Sequence, residues 1–153
     1  MKRTSVELVI LVAFLSSCSM TVIQPSAKSS TVNVGDNSKL QLYVKANDWM
    51  ISEFNNAESV IQFTDKESGV ITGKYLMHTF ILGTSVPPKY LYAIIKLQVK
   101  DGAAKITITP SDYVNNYNIM AGGTGYTVEE ANMDMDHLIQ SFEKAMKAKV
   151  DEF

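Results

Sequence analysis

One cysteine occurs in the 153 residues of this chain, Cys18. An intrachain disulfide is therefore excluded, as is any metal site built on two or more thiolates. Arginine is just as scarce, with Arg3 the sole example. Beyond position 3 there is no guanidinium fork for bidentate recognition of phosphate or carboxylate. The formal net charge of −2 also lacks the basic excess that nucleic-acid binding calls for, so no nucleic-acid partner is expected. Long apolar runs are missing too. The stretch from Val9 to Leu15 falls well short of the roughly 20 residues a helix needs to cross a hydrocarbon core.

What is present begins at the amino terminus. Lys2 and Arg3 precede that apolar stretch, and the small residues Ser16 and Ser17 follow it, the pattern of a cleaved secretory signal. Leu15-Ser16-Ser17-Cys18 resembles the bacterial lipobox. That resemblance implies cleavage before Cys18, a diacylglyceryl group on its sulfur and acylation of the new amino terminus. Each buried CH₂ contributes about 0.8 kcal/mol, so several chains anchor stably where one does not. Ser19 in the next position implies sorting to the outer membrane, with the protein on its periplasmic face. Residues 1–17 are thus expected to be a signal peptide, and the Ser-rich residues 18–30 a flexible tether. Residues 31–153 are expected to form a single domain.

The mature chain carries 12 basic and 15 acidic side chains and is long enough for one real core. Thr31–Val34 reads as a first strand. Ser38 and Gln41 then form a capping box for a helix. On its wheel Leu40, Tyr43, Val44, Met50, Ile51 and Phe54 share the broad face expected to meet the core, with Leu42, Ala46 and Trp49 a smaller patch opposite. Four strand-like segments follow. "YLYAIIKLQVK" alternates cleanly, so Leu91, Ala93, Ile95, Leu97 and Val99 point one way and Tyr90, Tyr92, Ile94, Lys96 and Gln98 the other. Asp101-Gly102 predicts a two-residue type I′ hairpin into "AKITITP". Residues 110–126 form a long loop rich in Tyr, Asn and Gly. A second capping box, Thr127 to Glu130, opens a helix to about Val150, with Met135, Leu138, Ile139, Phe142, Ala145 and Met146 as its core stripe. The order β-α-β-β-β-β-α predicts an α+β fold, an antiparallel sheet of four to five strands with both helices on one face.

Several of these features carry a family resemblance: Leu42-Tyr43, Trp49, Phe54-Asn55, Val60-Ile61, Glu67 to Gly69 and Lys100-Asp101-Gly102. Over roughly residues 31 to 110 the chain resembles a domain of unknown function with a TATA-binding-protein-like fold, found in lipoproteins and secreted proteins of Gram-negative bacteria. The resemblance implies that fold and an extracytoplasmic address, and brings no catalytic residues.

Little in the sequence points to chemistry. His78 falls within a strand, where alternation groups it with Val70, Thr72, Lys74 and Leu76 on a mixed, half-exposed face. Glu130, Asp134 and His137 share one face of the second helix, opposite its apolar stripe, and read as a solvated polar surface rather than a metal site. Gly122-Gly123-Thr124-Gly125 lacks the spaced glycine or Gly-Lys-Ser/Thr of a nucleotide loop. No nucleophile-elbow serine is present, and no Ser, His and Asp set can be placed together. No catalytic residue, metal or cofactor is expected, and a hydrolase is the weakest reading. A surface is the stronger one. With the helices on one side, Tyr90, Tyr92, Ile94 and Lys96 should lie on the uncovered side of the sheet, beside Lys105, Thr107 and Thr109. Aromatic and aliphatic side chains exposed together suit a protein partner. The long loop could instead fold over that face, or close a small-ligand pocket against the sheet. Trp49 is a further candidate contact, or a packing residue.

Overall fold

The computed structural model describes residues 22–54, 60–80, 88–111, 114–115 and 126–148. The signal, Cys18 and most of the 110–126 loop lie outside the described residues. Among the described residues seven strands and two helices follow one another: β1 (Val22–Ile23), β2 (Lys28–Asn33), α1 (Lys39–Glu53), β3 (Ile61–Asp65), β4 (Val70–Phe80), β5 (Lys89–Lys100), β6 (Ala103–Pro110), β7 (Val114–Asn115) and α2 (Val128–Lys147). The main sheet has five antiparallel strands in the order β2-β6-β5-β4-β3, and β1 pairs β7 in a separate two-stranded sheet. Strand β2 begins at Lys28, so the last three residues of the expected tether are sheet. Each pairs with β6, from Lys28 opposite Ile108 to Ser30 opposite Ile106.

Alternation in β5 holds throughout. Leu91, Ala93, Ile95, Leu97 and Val99 are buried; the last four share a core with Ile71 and Tyr75 of β4, Ile106 and Ile108 of β6 and both helices, and Leu91 packs in a second cluster with Phe80, Tyr126 and Ala131. Burying a Leu or Ile side chain contributes about 1.5–3 kcal/mol, so this single strand anchors the core. In α2, the expected stripe holds: Met135, Phe142 and Met146 are buried, with Leu138, Ile139 and Ala145 packed against them.

In α1 the wheel assigns the core face only in part: Met50 is buried and Tyr43 and Phe54 pack against the core, but the other half of the expected face does not. Leu42, Ala46, Trp49 and Met50 are buried, whereas Leu40, Val44 and Ile51 are each half exposed or more. Apolar width alone favoured the outer stripe, but the helix lies against the sheet on one side and α2 on the other. The smaller patch fits into that corner. Trp49 is the centre of the helix pair. Its ring meets Phe142 edge-on at 5.2 Å and Phe54 at 6.1 Å, and its Nε1–H donates to Ser141 Oγ at 3.0 Å. Trp49 is 3% exposed and therefore packs inside rather than offering an outer contact.

Both capping boxes form. The last carbonyls of α2 also receive help from α1, because Lys45 Nζ donates to Met146 O and Ala148 O. A cation at that end opposes the negative pole of the helix. The β5–β6 hairpin departs from type I′, since Gly102 has a positive φ and Asp101 does not. The turn is held by neighbours rather than by its own twist. Gly102 N–H donates to Asn37 O, and Asp101 Oδ1 accepts from Lys39 N.

Candidate functional site

Antiparallel pairing places opposite residues on the same face, so the register defines the side of the sheet opposite the described helices. Lys96 lies opposite Thr72 and Thr107, Ile94 opposite Lys74 and Thr109, Tyr92 opposite Leu76, and Tyr90 opposite Thr79. Phe63 of β3 joins them opposite Thr72, and Lys105 lies opposite Gln98 and Thr31. The four predicted surface residues of β5 are thus brought together on one plane. Phe63 is 55% exposed and Tyr90 46%, values large enough for a partner to cover. Tyr90 and Tyr92 lie 6.4 Å apart by ring centroid, and Lys74 Nζ sits 4.2 Å above the Tyr92 ring. That cation–π contact holds the ammonium and the aromatic face together as one surface.

Phe63 and Leu76 were not singled out by the sequence. In β3 a register shift between Ile61 and Phe63 breaks the simple alternation that would have revealed the first. Ser111, just beyond β6, donates through both N–H and Oγ to Tyr92 O. Gln24 Nε2 binds Pro110 O. These bonds fix the rim of the face beside Tyr92. The ligand pocket imagined between the 110–126 loop and the sheet falls mostly outside the described residues. A different concavity does exist, an open groove of about 590 Å³ between α1 and the end of α2. Leu40, Val44, Trp49 and Ala145 line it beside Lys45 and Asp48, leaving an apolar trough without convergent catalytic groups.

His78 proves to be inward-facing. A bulge between Leu76 and His78 inserts Met77 and reverses the alternation, so His78 pairs with buried Leu91 instead of continuing the outer face. Its ring stacks on Tyr126 at 4.5 Å, nearly parallel, and meets Phe80 edge-on at 4.9 Å. The Tyr126 hydroxyl donates to Asp134, whose charge also acts on Tyr75. Burial pushes the phenols of Tyr75 and Tyr126 far above the ordinary tyrosine range. The charge of Asp134 adds to this for both, and its hydrogen bond raises Tyr126 further. A phenol whose pKa is raised by folding contributes stability that is fully present below about pH 10, the unfolded value, and is lost as pH rises beyond it. In an alkaline absorbance titration of the seven tyrosines, two are expected to ionise only as the protein unfolds. Early, complete titration would contradict the burial.

The Tyr75 hydroxyl and His78 Nε2 are buried with no hydrogen-bond partner among the described residues. An orphaned buried hydroxyl costs about 1–3 kcal/mol in desolvation, and removing it can be neutral or better. Tyr75→Phe should therefore leave stability unchanged or raise it by about 1 kcal/mol in urea melts. A clear loss would mean that the hydroxyl has a partner in solution. Of the α2 carboxylates, Glu130 accepts from Thr127 N at 2.7 Å in the capping box, and Asp134 is taken by Tyr126. His137 is exposed, so the three-residue polar face is already divided among separate tasks. Glu143 is held below the usual carboxylate range, first by the Ser30 hydroxyl that donates to it at 2.5 Å and then by Lys147.

A five-stranded antiparallel sheet with both helices on one face defines the class as an α+β domain with the TATA-binding-protein-like (TBP-like) fold. The model of a domain of unknown function with TBP-like fold, DUF4468, matches residues 29–113, and the chain belongs to that family. Two solved structures show the same fold. A TBP-like protein from Parabacteroides distasonis shares 13% identity at a TM-score of 0.58, over 81% of this chain and 94% of that chain. A DUF4468 family protein from Bacteroides ovatus shares 16% identity at a TM-score of 0.53, over 82% of this chain and 88% of that chain. Among curated proteins, none matches this chain.

Proposed function

We propose that this protein is a lipid-anchored interaction module, held by Cys18 on the periplasmic face of the outer membrane and binding a protein partner through the open face of its sheet. The observation that carries the reading is the group Phe63, Leu76, Tyr90, Tyr92 and Ile94, gathered on the side of the sheet that the helices leave uncovered. Apolar and aromatic side chains on a flat, rigid face supply contact area at small ordering cost. The lipobox-like sequence at Leu15–Cys18 supports the address.

Two substitutions test the two halves. Tyr92→Glu places a charge at the centre of the face and should abolish capture of an envelope partner without lowering the melting temperature. Retained capture would remove the face from the reading. Cys18→Ser should eliminate incorporation of labelled palmitate and release the protein into the soluble fraction. Labelling that persists in this variant would refute the anchor.

A further inference from the structure

The lysines of the open face are arranged in a line. Lys74 is one register step from the residue opposite Lys96, since Lys74 pairs Ile94 and Thr72 pairs Lys96. Lys96 stands in the same relation to Lys105, since Lys96 pairs Thr107 and Gln98 pairs Lys105. Diagonal neighbours of this kind are separated by about 7–8 Å. Three lysine positions therefore cross β4, β5 and β6 in one diagonal row, and none of these lysines has an ion-pair partner among the described residues. The outward positions of these three strands carry no carboxylate. Asp65, on neighbouring β3, spends its Oδ1 on the amides of Glu67 and Ser68. Exposed carboxylates of the other layer, Asp48, Glu53, Glu129 and Asp134, belong to the helices on the far side. Three like charges gathered on one face of a sheet raise the local positive potential, and that favours an anionic occupant.

An extended chain repeats its side chains on one face every two residues, about 6.7 Å, close to the spacing of the row. We infer that the open sheet face takes an extended acidic segment of a partner protein, with carboxylates at alternate positions meeting Lys74, Lys96 and Lys105. The intervening positions of that segment point away from the face. Its flanks rest on Tyr90, Tyr92, Ile94 and Leu76, and Lys74, lying over Tyr92, offers a carboxylate both charge and a ring. This inference rests on the reading of the face as a protein-binding surface and adds the chemistry of what it binds.

The test uses full-length protein in a neutral detergent and a fluorescent acetylated peptide that alternates glutamate with valine and tyrosine. Binding should weaken steeply with salt. Lys96→Gln should weaken it about tenfold, which corresponds to about 1.4 kcal/mol, and Lys74→Gln and Lys105→Gln should do likewise. Peptide-induced amide shifts should fall on β4, β5 and β6. Equal binding of a peptide with its glutamates contiguous, indifference to the lysine substitutions, or shifts confined to the helices would overturn the proposal. Oligothymidylate, or phosphatidylglycerol in mixed micelles, competing as well as the acidic peptide would also overturn it, in favour of a phosphate-bearing ligand. If Tyr92→Glu loses the natural partner while the lysine variants keep it, the surface stands and its acidic ligand does not.

Discussion

Gly69→Ala is expected to destabilise the domain by about 3 kcal/mol or more and to lower its melting temperature by about 10 °C. Gly69 closes the β3–β4 turn with φ +72, a left-handed conformation that costs a residue with a Cβ about 1–2 kcal/mol. Space is the larger obstacle. A Cβ there would lie 2.4 Å from Val99 O and 3.1 Å from Val99 Cγ2. The turn cannot simply retreat, because Val99 N donates to Gly69 O at 2.8 Å and that bond ties the turn to the end of β5. Gly35 is the internal control. Its φ is +63, and a Cβ added there would meet nothing within 4 Å, so Gly35→Ala should cost only the conformational part, about 1–2 kcal/mol. Paired thermal melts of the two variants separate strain from collision. Equal losses would show that the contact with Val99 is relieved at no cost.

Trp49→Ala should cost about 3–5 kcal/mol, the range for deleting a buried large aromatic. Total stability for a domain of this size is about 5–15 kcal/mol, so the variant is expected to be partly unfolded at 37 °C. Three losses combine. The edge-on contacts with Phe142 and Phe54 vanish, a cavity opens between α1 and α2, and Ser141 loses its donor. Ser141 Oγ in turn donates to Glu53 Oε2 at 2.6 Å, so the end of α1 loosens as well. Trp49→Phe keeps part of the packing but removes the indole N–H and some ring volume, and should cost about 1–2 kcal/mol. A urea midpoint for Trp49→Ala near that of the parent would place the tryptophan outside the core.

The contrast between the two helices explains which parts of the fold could be read directly. Helix α2 meets the core with one broad stripe, and its heptad-like spacing named Met135, Phe142 and Met146 without further information. Helix α1 has apolar residues on two sides, and no count of them says which side meets the sheet. Only the position of α2 decides, because Trp49 must fit beside Phe142 and leave Leu40, Val44 and Ile51 outside. Strand β5 was legible because it is central and its period of two is unbroken. His78 was not, because the bulge at Leu76/His78 is a property of pairing with β5 and leaves no mark in β4 itself.

The candidate surface divides in the same way. Tyr90, Tyr92, Ile94 and Lys96 followed from alternation within one strand, whereas Phe63, Leu76 and the diagonal of Lys74, Lys96 and Lys105 belong to three or four strands at once. Capping boxes and the type of each element in the α+β order are local, since each depends on residues within a few positions of one another, and the sequence alone determined them. The lysine diagonal, the inward turn of His78 and the burial of Trp49 depend on register and on the packing of distant elements. Those relations are settled by the free energy of the assembled sheet and helices, and so only the tertiary structure decided them.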